Sequence, residues 1–230
     1  MKKCIFPLIL TMLISSMIYF SACRHEDSID VNQDRIYTRY EMNYNANAEE
    51  TTAKAIFRMG GQHDSKLKLS DGSSIEFNEE TLSYNGIYAY YENTYSEFIN
   101  EGEFRFEDLE DNVYTNSVDI ITADFPEEMD TIVKDSTYEL FWDGDPLTAG
   151  EKITLTIDGP LESDAKMFHV SEEGAESIEL SESETSTLSS GATILELERK
   201  YESENIDAPS VGGKIISTYK AANYATNVME

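Results

Sequence analysis

Apolar and polar residues alternate with a period of two along most of this chain, and no stretch shows a 3.6-residue apolar stripe. Ile36, Tyr40, Met42 and Tyr44 alternate with Tyr37, Arg39, Glu41 and Asn43. Ala53, Ala55, Phe57 and Met59 alternate with Thr52, Lys54, Ile56 and Arg58, and Gly60-Gly61 ends the run. Leu67 and Leu69 precede the hairpin signal Asp71-Gly72, with Ile75 and Phe77 on the returning strand. Ile87 to Tyr91 reads as a β-branched and aromatic strand, Phe104 and Phe106 as another, and Val118 to Ile121 as the last of this half. Asp124 to Asp130 reads as a linker or strand crossing, and then the pattern restarts. Tyr138, Leu140 and Trp142 form one strand; Ile153, Leu155 and Ile157 form the next, ended by Gly159-Pro160. Met167, Phe168 and Val170 make a further short run. Residues 171–190 are Ser-, Glu- and Thr-rich, either a long exposed loop or a thin edge strand. Ala192 to Glu198 and Lys214 to Lys220 form a final strand pair around a polar loop. Many short strands with turn signals between them predict two tandem immunoglobulin-like β-sandwiches, over 35–123 and 124–230.

The N-terminus has a different pattern. Lys2 and Lys3 precede an apolar stretch from Ile5 to Phe20, and the small residues Ser21 and Ala22 lead to Cys23. These are the three parts of a secretory signal. The cysteine after them resembles the lipobox of bacterial lipoproteins, with Phe20 where Leu, Val or Ile is usual. The resemblance implies that 1–22 is removed and that Cys23 is lipidated and becomes the mature N-terminus. The lipoprotein family carries three acyl chains there, enough for stable attachment. An uncleaved anchor fits less well, because the apolar stretch is short for a spanning helix. Residues 23–34 then read as the lipidated cysteine and an acidic tether.

Charge narrows the choice of partner. The chain carries 45 Asp and Glu against 17 Lys and Arg, a formal charge of −28. It repels phosphate backbones, which excludes nucleic acid, and it repels anionic headgroups. Apolar content of 40% is enough for real cores. Cys4 lies in the signal segment and Cys23 is the lipid candidate, so the mature body holds no disulfide or thiolate site.

A second resemblance rests on short segments at the two ends of the mature chain. Val31-Asn32-Gln33-Asp34-Arg35-Ile36-Tyr37, Ala53-Lys54-Ala55-Ile56-Phe57-Arg58 and Leu67-Lys68-Leu69-Ser70 look like the opening of small Bacteroidetes surface lipoproteins with immunoglobulin-like domains. Gly212-Gly213-Lys214-Ile215-Ile216-Ser217-Thr218-Tyr219 is similar to their closing strand. The acidic run after Cys23 resembles their surface-export signal. The resemblance implies an outer-membrane, cell-surface location and supplies no catalytic residues.

Candidate chemistry is sparse. Close carboxylate pairs are inevitable among so many acids, so none singles out a hydrolase. Glu107 to Asn112 and Asp143-Gly144-Asp145 hold oxygen ligands, but neither fits a twelve-residue calcium loop, and turn chemistry explains them equally well. His25, His63 and His169 are too scattered for a zinc site or a triad. No cofactor or metal is expected. Tyr84, Tyr88, Tyr90, Tyr91 and Tyr95 crowd twelve residues. Alternation puts Tyr88 and Tyr90 on one face and Tyr91 on the other. Tyr88, Tyr90, Tyr91 and Tyr95 are the candidate ligand-binding residues, since exposed tyrosines offer rigid amphipathic contact area. Trp142 is expected in the core. The expectation is a non-enzymatic, membrane-anchored surface lipoprotein that binds a protein or glycan or acts as a spacer. A fimbrial subunit and an acidic-residue hydrolase, with or without calcium, are the alternatives.

Overall fold

The computed structural model describes residues 26–161 and 164–230. The chain enters through β1 (Glu26–Asp27) and two 3-10 turns, Ser28–Asp30 and Gln33–Arg35, then runs through β2 (Ile36–Asn45) and β3 (Glu50–Met59). The first half continues with β4 (Lys66–Lys68), β5 (Ser74–Phe77), β6 (Glu80–Thr81), β7 (Ser83–Asn85), β8 (Tyr90–Tyr95), β9 (Glu101–Glu107) and β10 (Val113–Asp119). The second half holds β11 (Ile132–Val133), β12 (Tyr138–Phe141), β13 (Glu151–Asp158), β14 (Lys166–Val170) and β15 (Ser177–Leu180). It closes with a short helix, α1 (Glu182–Thr185), then β16 (Gly191–Ser203), β17 (Gly213–Lys220) and β18 (Tyr224–Met229). The fold is all-β and sandwich-built, as the alternation predicts.

In the first half, β2, β3, β4 and β8 form one layer and β10-β9-β5-β6 the other. The inward row of β2 and β3 is Tyr40, Met42, Ala53, Ala55 and Phe57; Ile75, Phe77, Phe104 and Phe106 meet it from the opposite sheet. Small residues on one layer leave room for rings on the other. Tyr40 stacks on Phe104 at 5.0 Å, and Phe57 meets Phe106 at 4.7 Å. Such pairs add directionality to the area they bury.

In the second half, the β12–β15 pair covers a sheet containing β14, β13, β16, β18 and β11, with β11 and β18 parallel. The half is thus a two-layer sandwich with five strands in one layer and two in the other. Ile153, Leu155, Ile157, Leu195 and Leu197 pack against Leu140, Ile178 and Leu180. Trp142 is buried there, and its indole N–H donates to the Asp145 carbonyl at 3.2 Å.

The two halves share a sheet. β17 pairs antiparallel with β16 and parallel with β2, in register from Gly213↔Thr38 to Lys220↔Asn45. β16 changes neighbour along its length, from β18 over 191–195 to β17 over 198–203. The result is a 12-stranded sheet that runs through both sandwiches. Other bonds tie the halves. The Asp207 N–H donates to Asn116 Oδ1 at 2.7 Å, and Asn116 Nδ2 donates to the Asp207 carbonyl at 2.8 Å. Tyr219 donates its hydroxyl to Asp124 Oδ1 at 2.7 Å, and Asn47 Nδ2 donates to Asn223 Oδ1 at 3.0 Å.

Three segments differ from the pattern reading. Ile87 and Tyr88 lie in a turn, not a strand. Asn85-Gly86 starts it: Asn85 Oδ1 accepts from the Ile87 N–H at 3.1 Å, and Ala89 sits at φ 52°. Residues 171–190 contain both β15 and α1. Ser181 caps α1 in a capping box, with Glu184 accepting from the Ser181 N–H at 2.8 Å. The polar segment read as a tether is held from Glu26 onward. β1 pairs with β4, Ser28 is fully buried, and buried Gln33 donates Nε2 to the Ser28 and Val31 carbonyls.

Candidate functional site

Strand register places the polar side chains of β3, β2, β17 and β16 in rows across the outer face of the joined sheet. One row reads Lys54, Glu41, Ile216, Glu202; the next reads Thr52, Asn43, Thr218, Lys200. At the boundary between the halves lies an open cavity of about 500 Å³, lined by Arg39, Glu41, Asn45, Glu198, Lys200 and Lys220 among others. More than half of the Lys and Arg among the described residues stand on this face, including Arg39, Lys54, Arg58, Lys66, Lys152, Lys200, Lys214 and Lys220. They meet glutamates there: Arg39–Glu41 at 2.6 Å, Lys54–Glu92 at 3.2 Å, Lys220–Glu196 at 3.0 Å. The face is therefore close to neutral, although the chain as a whole is strongly acidic.

Glu202 is the best-connected carboxylate of the face. Lys200 and Lys214 each donate Nζ to it at 2.7 Å. These two charged hydrogen bonds outweigh its partial burial and hold its carboxyl down to about 2. An unfolded Glu titrates near 4.3, so the contribution is complete above that pH and lost as pH falls through about 2. Glu202→Gln should therefore lower Tm by about 2 °C at pH 7, the group being exposed enough to keep the effect below ~1 kcal/mol. At pH 2 the variant and the parent should melt together; a difference that survives there rules out this cause.

The tyrosines divide between two faces. Tyr88, which is 59% exposed, stacks on Tyr90 at 5.8 Å and 5°. Lys54 Nζ lies 5.0 Å from the Tyr90 ring centre and Lys66 Nζ 5.8 Å, and Lys66 donates to the Tyr88 carbonyl at 2.6 Å. This pair forms a platform on the same outer face as the cavity. Tyr91 points into the core: it is buried, and its hydroxyl accepts from the Leu69 N–H at 2.8 Å. Burial pushes its hydroxyl up to about 12. Tyr95 packs against Phe77 at 5.7 Å with its hydroxyl buried. Tyr88 and Tyr90 thus remain as surface groups, whereas Tyr91 and Tyr95 serve packing. Cys23 lies outside the described residues.

Turn chemistry accounts for the acidic loops. Asp108 is fully buried; Oδ1 accepts from the Glu110 and Asn112 N–H groups at 2.8 and 3.0 Å, and Oδ2 from Asn112 Nδ2 at 3.0 Å. Asp143 exchanges backbone hydrogen bonds with Asp124, and the Asp145 carbonyl accepts from Arg199. Among the described residues no three His, Cys, Asp or Glu converge as metal ligands, and no helix is long and apolar enough to cross a membrane.

The cavity residues escaped the sequence reading because β2 and β17 lie at opposite ends of the chain. Only their parallel pairing brings Arg39 and Lys220 to one surface. No family model matches the chain, and no curated protein matches it. Among solved structures it is similar to the FN1–FN3 domains of chicken CNTN1, at 11% identity over 83% of this chain with a TM-score of 0.32. A bacterial ice-binding adhesin of 1.5 MDa, studied for host cell surface retention, is similar at 12% identity over 86% of this chain, with a TM-score of 0.23. The chain spans 66% of each of those two chains, and likenesses this distant carry no assignment of function.

Proposed function

We propose that this protein is a non-enzymatic, lipid-anchored surface module that holds a binding face in a fixed orientation on the outer membrane. The observation that carries the reading is the joined sheet. β17 belongs to both sandwiches, so the two halves form a stiff unit, and its outer face presents the cavity and the Tyr88–Tyr90 platform together. A rigid scaffold with a near-neutral, amide- and aromatic-bearing face suits a protein or glycan ligand better than catalysis. Anchoring rests on the signal segment and Cys23. β1 begins at Glu26, three positions beyond Cys23 and so at most about 11 Å of chain away. The connection to the anchor is therefore short rather than a long leash, while the acidity of the body opposes direct contact with anionic headgroups.

Two measurements test this. Residues 26–230, immobilised, should capture a surface protein or glycan from cell-surface extracts, and Tyr88→Ser/Tyr90→Ser should reduce capture at least fivefold. Capture that is undiminished removes the platform from the binding face. Cys23→Ser should release the full chain from membranes into the aqueous phase of a detergent partition. Continued detergent-phase partitioning would refute the lipid anchor.

A further inference from the structure

β14 is the terminal strand of the long sheet, and among the described residues its only ladder partner is β13. An unpaired edge presents a row of backbone N–H and C=O groups, and proteins usually protect it with charge, proline or a bulge. β14 reads Lys-Met-Phe-His-Val: it has no proline and no carboxylate, and its one permanent charge, the exposed Lys166, stands at its N-terminal end and leaves Met167 to Val170 without one. Met167 is 70% exposed and shares the outer face with His169, while Phe168 and Val170 are half-buried against the core. The core beneath is sealed, with Ile153, Leu155 and Ile157 at most 2% exposed. This edge can therefore accept an added strand without opening the sandwich.

Charge selects the occupant. Beyond Ser171, Glu172 and Glu173 follow β14 and are exposed, and Asp158, Asp164 and the oppositely charged Lys166 lie at its other end. Two copies of this chain paired antiparallel at β14 would set Glu172 and Glu173 of one against the Asp158 and Asp164 end of the other. Lys166 offsets one of the two acidic charges at that end, so the net repulsion disfavours self-association. We infer that β14 is a docking edge for an extended peptide with apolar residues at alternate positions and basic residues at its N-terminal end. Antiparallel addition is the more stable ladder. It would place that basic end against Glu172 and Glu173, with the apolar positions beside Phe168 and Val170. The overall acidity would speed the approach of such a partner. The inference is independent of the Tyr88–Tyr90 face.

The test uses the full chain in neutral detergent and a labelled peptide, Lys-Lys-Ser-Val-Thr-Val-Thr. Anisotropy should report saturable binding at low salt. Amide exchange should slow at residues 166–170 when the peptide is present. N-methylation of the two Val amides and of the two Thr amides should act oppositely: one set abolishes binding, the other leaves it within about twofold, because alternate N–H groups face the ladder. Glu172→Gln/Glu173→Gln should weaken binding roughly fivefold, the scale of two exposed ion pairs. No binding, protection located elsewhere, or two methylated peptides that behave alike overturns the docking edge. Unchanged affinity in the double Gln variant overturns the choice of a basic partner.

Discussion

Arg199→Met should destabilise the protein by about 3–5 kcal/mol, the range for breaking a buried ion pair from one side. The Arg199 side chain is 2% exposed and that of Glu151 is 0% exposed. Nε donates to Glu151 Oε1 at 3.2 Å and Nη2 to Oε2 at 2.7 Å. Nη1 donates to the Thr122 and Asp145 carbonyls at 3.2 and 2.7 Å, and Nη2 also to the Pro146 carbonyl at 3.1 Å. One guanidinium thus joins β16, the start of β13, the turn after Trp142 and the crossing between the halves. Met fills the space but leaves a sealed carboxylate with only the Thr148 N–H and hydroxyl as donors. Three carbonyls lose a partner as well. Urea unfolding should show the lower midpoint. Arg199→Met/Glu151→Leu should recover more than half of the loss, since it removes the orphaned charge. A single variant within 1 kcal/mol of the parent contradicts this account of the buried pair.

Gly213→Ala should cost about 2–3 kcal/mol, near the top of the usual range for overpacking. A Cβ at Gly213 would overlap Thr38 Oγ1 and the Thr38 carbonyl, and would lie 2.8 Å from Ile206 Cδ1. Ile206 can turn aside, but the β2 backbone cannot move without parting from β17. The damage should therefore concentrate where the halves join. Limited proteolysis should cut the 204–212 loop faster in the variant, while the first-half core stays protected. Gly212 provides the comparison: it has open space around it and φ +87°, so Ala there costs conformational strain without forcing the strands apart. Equal proteolysis of Gly213→Ala and Gly212→Ala would contradict the joint as described.

Local alternation made much of this fold legible. The inward rows of β2, β3, β9, β13 and β16 follow it residue by residue, because one face of each strand is buried and the other is wet. It failed where a turn signal outranked propensity. Ile87 is β-branched, yet Asn85 caps a turn there and leaves Ile87 82% exposed. It failed again at β18. The less exposed row of that strand is Tyr224, Thr226 and Val228, and only Val228 is fully buried, so pairing with β16 defines the strand more than its own pattern does. The candidate face was half legible. Alternation grouped Tyr88 with Tyr90, but Tyr88 reaches that surface from a turn rather than a strand, and Arg39 and Lys220 meet only through a parallel pairing across most of the chain. Arg199 shares the inward parity of Leu195 and Leu197 but lies just past the Glu198 end read for that strand, and the carbonyls that solvate it, from Thr122, Asp145 and Pro146, are remote in sequence.

The parallel β2–β17 ladder also sets how the molecule bears load. A pull on the second half reaches the N-terminal end through hydrogen bonds that run side by side from Thr38 to Asn45. Force along two parallel strands shears those bonds together rather than peeling them one by one. Tension applied between the two halves would be resisted at the centre of the molecule, and the lifetime under that tension would follow the unfolding rate of the ladder more than its equilibrium stability.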